Sequence, residues 1–214
     1  GDIGGGSLNN FEINNCYINM VDLAGDHLLY MACAGSVPTD NKIHHNTMLI
    51  PHIGPGTGAD GISGSGSGYS IYSNTIRGYN AAYTGGQHQD GFQATGGSNF
   101  TIYDNEFIDI SNYCVYGDAY YAGFTDVSVY NNICRFEDSN LLTGTPGAII
   151  FGVDGGWNVQ NPGATCTFLR VYLVNNVISD YQGNGGVGLS NVRPDLNPNY
   201  AFTNCYMQNN LLVN

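Results

Sequence analysis

The chain has 214 residues, enough for one domain or one solenoid of similar mass, and 42% of them are hydrophobic, enough to bury a core. Only 10% are charged, and 17 acids against 5 bases give a net charge of −12, which excludes the basic footprint that nucleic acid requires and disfavours anionic membrane surfaces. No apolar run approaches the ~18 residues of a membrane span, and plentiful aromatic and β-branched residues argue against disorder.

Taken from the start, residues 1–10 read as a lead-in without an initial Met, as in a processed or trimmed chain. A short pattern then recurs to the end: an apolar residue, two variable residues, Asn, one variable residue, and another apolar residue. Its copies are Phe11–Asn14–Cys16, Ile43–Asn46–Met48, Ile71–Asn74–Ile76, Ile102–Asn105–Phe107, Val129–Asn132–Cys134, Leu173–Asn176–Ile178 and Met207–Asn210–Leu212. The spacing between successive asparagines runs from 27 to 44 residues. A pattern that keeps its apolar register while its length varies predicts one coil per repeat, with the variation placed in loops. Helical periodicity is nowhere sustained. Alternating runs such as Phe100–Tyr103 and Val127–Tyr130 predict strands with one buried face. Asn is expected at the corner between strands, where it tolerates left-handed backbone angles. With coils about 4.8 Å apart, successive amides would bond one another in a ladder.

Each repeat carries a second strand downstream, at residues 28–31, 61–64, 91–94, 113–116, 148–151 and 186–189. Two or three short strands per repeat with Gly-rich turns predict an all-β protein: one β-solenoid domain over residues 1–214, of about seven coils. On these features the chain resembles the right-handed parallel β-helix repeats of the pectate-lyase-like superfamily over residues 9–214. The stretch His88-Gln89-Asp90-Gly91-Phe92-Gln93 also resembles a His-x-Asp-Gly-aliphatic-Gln segment of many β-helix proteins. The resemblance implies the fold and a polysaccharide as the class of partner. It does not supply a catalytic set: the motifs of the galacturonan hydrolases are missing as a set. Lys42, Arg77, Arg135 and Arg170, the types that serve as base in pectate lyases, sit in no such motif. Loops interrupt the coils at residues 32–41 and 50–59 and most extensively at 154–165, which holds the single Trp, Trp157.

Two columns are candidate sites. Aligning the second strands places Asp26, Asp60 and Asp90 at one position in three coils. Stacked carboxylates repel, so they call for a cation such as Ca²⁺ or a shared proton. A pair at that spacing also suits acid/base work on a glycosidic bond, with His88 beside Asp90. The competing reading is turn chemistry, Asp bonding the turn that Gly completes. The residue two before the Asn forms the other column: His44, Tyr72, Tyr103 and Tyr130 are expected to face outward as a flat strip for sugar or for another subunit. Trp157 joins them as a binding candidate. Of the six cysteines, Cys16 and Cys134 fall in the core register, and Cys166 with Cys205 is the expected disulfide.

Two functions follow. One is an extracellular or cell-surface β-helix that engages polysaccharide, as a hydrolase or lyase acting through Asp90, Asp60 and His88. The other is a non-catalytic structural or adhesive protein that assembles with itself, end to end or as another homo-oligomer, through its terminal coils.

Overall fold

A computed structural model describes residues 2–4, 10–19, 27–32, 40–50, 60–78, 89–137, 148–153, 161, 164–179, 186–191 and 199–213. The chain is a parallel β-solenoid without a helix among these residues. Each of the seven repeats contributes one strand to a seven-stranded sheet, and the described residues close about four turns of the seven coils expected. Trp157 and most of the loop around it lie outside the described residues.

Three strand columns stack. The first contains His27–Ala32, the first half of Asp60–Tyr72, the first half of Phe92–Tyr103, Val115–Asp118, Ile149–Val153 and Val187–Asn191. The second runs through Glu12–Asn14, Asn41–His44, the second halves of the same two long strands, Phe124–Tyr130, Cys166–Val174 and Tyr206–Gln208. The third is a sheet of seven three-residue strands, from Tyr17–Asn19 to Leu211–Val213. The alternation read from the sequence sets what each column buries. Ile43, Ile71, Ile102, Val129 and Leu173 stack inside the second column. Met48, Ile76, Phe107, Cys134 and Ile178 do so inside the third. Each such side chain contributes about 1.5–3 kcal/mol on burial.

Where one strand serves two columns it must bend, and glycine makes that bend. The pairing slips between Gly64 and Gly66, and Gly66 and Gly97 have φ of 105° and 137°. A Cβ on Gly97 would lie 1.9 Å from the Gly66 carbonyl oxygen, so neither a side chain nor its backbone angle is available there.

At the corner between the second and third columns the asparagines form the expected ladder. Asn46, Asn74, Asn105, Asn132 and Asn176 each donate Nδ2 to the Oδ1 of the next, ending on Asn210, at 3.0 Å throughout. Each Nδ2 from Asn74 onward also donates to a carbonyl of the preceding coil, as Asn105 does to Ile71 at 2.9 Å. Each Oδ1 takes a backbone N–H as well, as Asn105 does from Asn74 at 3.0 Å. One amide thus ties three coils together. The left-handed residue is not the Asn, however. It is the one before it: His45, Ser73, Asp104, Asn131, Asn175 and Asn209 have φ between 52° and 55°. Their turn aims the Asn side chain along the stack.

The first repeat is in a different register from the expected one. Ile13 pairs with Ile43 and Ile18 with Met48, which puts Cys16, not Asn14, in line with Asn46. Cys16 N–H donates to Asn46 Oδ1 at 3.0 Å, as the ladder asparagines do. The Cys16 side chain is therefore exposed at the corner rather than buried in the core.

Replacing Asn105 by Ala leaves the Asn74 N–H and the Ile71 carbonyl without their partner in a place water does not reach. Unfolding free energy should fall by roughly 3 kcal/mol, measured by denaturant melts, with the same substitution at the exposed Asn19 causing little change.

Candidate functional site

The register of the first column decides the aspartate site. Ile62 pairs with Phe92, which sets Asp60 against Asp90 as expected. In the coil before, His27 pairs with Asp60. The third position of the column is therefore His27 and not Asp26, which itself lies outside the described residues together with His88.

Asp60 and Asp90 are 1% and 0% exposed. Asp60 Oδ1 accepts the Asp90 N–H at 3.2 Å, and its Oδ2 meets His27 Nδ1 at 3.1 Å. Asp90 Oδ1 accepts the Tyr113 N–H and the Asn112 Nδ2, both at 2.9 Å. Each carboxylate thus straps its own coil to the next, as the asparagines do at the other corner. The burial cost of the charge is offset by these donors. Among the described residues no three His, Cys, Asp or Glu side chains converge on a point. His27 differs from the aspartates. Its side chain is 27% exposed, and its ring stacks on Tyr30 with centroids 5.3 Å apart.

The aromatic column is formed. His44, Tyr72, Tyr103 and Tyr130 stack with centroids 4.5, 4.9 and 5.0 Å apart and planes within 8°. Their faces cover one another, so the column does not offer flat rings to a sugar. It offers ring edges and phenol hydroxyls at the spacing of the coils. Two residues earlier along the same strands, on the same side, stand Ser70, Thr101 and Ser128. Burial, and then the neighbouring Tyr130 and Tyr72, push the Tyr103 hydroxyl above its ordinary pKa. Burial does the same to Tyr130. Both stay protonated donors at neutral pH. At the column's end His44 Nε2 meets Glu12 at 2.6 Å, a bond that holds Glu12 below the usual carboxylate range.

The candidate bases are all engaged. Lys42 pairs with Asp40, Arg77 with Asp109 and Glu137, Arg135 with Glu106 and Glu137, and Arg170 with Asp126. Apart from Lys42 with Asp40 and Arg135 with Glu137, which are two residues apart, these pairs join residues 29 to 60 apart, which no local sequence pattern marks. The expected Cys166–Cys205 disulfide is absent: both are free, as are Cys16, Cys114 and Cys134. Cys166 pairs with Tyr200 across the sheet, while Cys205 Sγ takes the Val171 N–H. Burial, with Asp118 nearby, pushes the Cys166 thiol up to about 12, so it is inert. A concavity of about 370 Å³ lies on the last described coil, lined by Ile178, Val187, Met207, Leu211 and Leu212 among others. Val187, Met207 and Leu212 occupy registers buried in the coils before, so the concavity is the flank of a coil. Comparison with protein-family models, with curated proteins and with solved structures returns no match.

If Asp90 is a strap, Asp90→Ala lowers unfolding free energy by roughly 2 kcal/mol, the cost of leaving the buried Tyr113 N–H and Asn112 amide without an acceptor. Thermal and denaturant melts check this; an unchanged stability would assign Asp90 no structural task.

Proposed function

We propose that this β-solenoid is an extracellular protein that engages neutral, hydroxyl-rich polysaccharide. Its contact surface is the outward side of the second column, where Tyr72, Tyr103, Tyr130 and His44 run beside Ser70, Thr101 and Ser128. One observation carries the reading: the rings are locked parallel at 4.5 to 5.0 Å. A rigid row of hydroxyls at a fixed repeat is preorganised for a ligand that is itself a repeat, so little ordering opposes binding. The net charge of −12 favours an uncharged glycan over a uronate. In this reading the chain stands with the right-handed parallel β-helix proteins of the pectate-lyase-like superfamily as a binding member, and the column of Asp60 and Asp90 supports the coils.

The test keeps the stack and removes the hydroxyls. The triple variant Tyr72→Phe, Tyr103→Phe, Tyr130→Phe should melt within a few degrees of wild type. It should bind its preferred polysaccharide, found by affinity electrophoresis over a panel of neutral glucans, xylans and mannans, at least about tenfold more weakly, given about 1 kcal/mol for each hydrogen bond lost. Equal binding by the triple variant, or no retardation of wild type by any member of the panel, contradicts the proposal.

A further inference from the structure

Among the described residues of the first column, His27 is a titratable side chain that is both held in place and part-exposed. Asp60 holds it from within: the carboxylate is buried, its Oδ1 is anchored on the Asp90 N–H, and its Oδ2 receives His27 Nδ1 at 3.1 Å. Tyr30 holds it from the side by ring stacking at 5.3 Å and 22°. A carboxylate that accepts from Nδ1 keeps the proton on that nitrogen and leaves Nε2 as the basic one. An imidazole so oriented, on a part-exposed ring, is the arrangement of a general base.

We propose that His27, positioned by Asp60, is the general base of an ester hydrolase acting on O-acyl groups of neutral polysaccharide. The proposal goes beyond the binding surface, which lies on a different strand column, and rests on that reading only for the class of substrate. Three reactions are open to a carbohydrate-acting solenoid, and the geometry separates them. Glycosidic cleavage by two carboxyl groups needs both within reach of the sugar and of water, and Asp60 and Asp90 are enclosed and strapped to backbone. Elimination from a uronate needs a cation for its carboxylate, and among the described residues Lys42, Arg77, Arg135 and Arg170 are each held by acids. Ester hydrolysis by water needs one oriented base and an uncharged substrate. In that step a water O–H proton passes to His27 Nε2 while the water oxygen bonds to the acyl carbon. The adduct then collapses, the C–O bond to the sugar breaks, and the proton on Nε2 passes to the leaving sugar oxygen. Ester and water become carboxylic acid and sugar hydroxyl, and the Nδ1 proton stays hydrogen-bonded to Asp60 throughout.

The experiment uses the full chain with two probes, O-acetylated xylan and 4-nitrophenyl acetate. It measures acetate or nitrophenolate release, and binding of both acetylated and deacetylated xylan. Wild type should release acetate, and His27→Gln should lower the rate by about 10²–10⁴ with its melt unchanged. Asp60→Asn should move the His27 proton from Nδ1 to Nε2, read from the ¹⁵N shifts of the ring, and lower the rate at least tenfold. The tautomer shift together with the fall in rate is the signature a merely structural Asp60 would not give. A His27→Gln rate equal to wild type, or no release from either probe by wild type, overturns the proposal. Xylan binding that persists without acetate release rejects the base while leaving the binding reading intact. An Asp60→Asn variant that shifts the proton yet keeps the full rate rejects Asp60 as the positioning residue.

Discussion

The structure depends on keeping buried backbone groups satisfied at its corners. Between coils the strands satisfy one another, but at each turn a peptide N–H and a carbonyl leave the ladder and enter a place without water. The side-chain amide of Asn answers both, with one acceptor and two donors. In this chain its oxygen takes the N–H of the ladder asparagine one coil earlier while its nitrogen reaches back to a carbonyl of that same previous coil. Because the bond runs from coil to coil, it fixes rise and register together. Segments of 27 to 44 residues between ladder members are tolerated because the length is absorbed away from that corner.

The same constraint divides the outer surface into columns. Any residue type repeated at one position becomes a row with the spacing of the coils, and its chemistry is that of a row. A row of carboxylates would repel. Asp60 and Asp90 avoid this by each taking a backbone N–H of the following coil, which turns charge into attachment. A row of tyrosines attracts, because parallel offset rings stack. The result is a stiff face whose outward groups are hydroxyls. His27 stands out because it breaks the row: it occupies the aspartate position one coil earlier and donates to Asp60 the bond a further carboxylate could not.

Much of this was legible in the sequence. The apolar residues three before and two after each Asn gave the two buried rows from Ile43 to Ile178, and the Asn ladder followed from the spacing. Two of the misreadings are slips of register. A period-two pattern slips easily by two residues when a chance Asn supplies a false anchor, and Asn14 did so, hiding Cys16 in the ladder position. In the first column a slip of one residue put Asp26 where His27 stands; matching Leu29 to Ile62 would have corrected it. The outward direction of the tyrosines was legible, but their mutual stacking was not, because the sequence alternation says which side a ring is on and not which way it turns. Ion pairs such as Arg77 with Glu137 span several strands and leave no local signature.

The central claim is that the buried amide ladder, and not the loops or surface charges, holds the coils in register. Hydrogen exchange followed by NMR tests it most directly. The side-chain NH₂ protons of Asn74, Asn105 and Asn132 and the backbone N–H of the same residues should exchange only by global unfolding, with protection that falls together as denaturant is added. Exchange of these protons at the rate of the exposed side-chain amides of Asn131 and Asn175 would contradict the account, because the ladder would then be open while the coils remain folded.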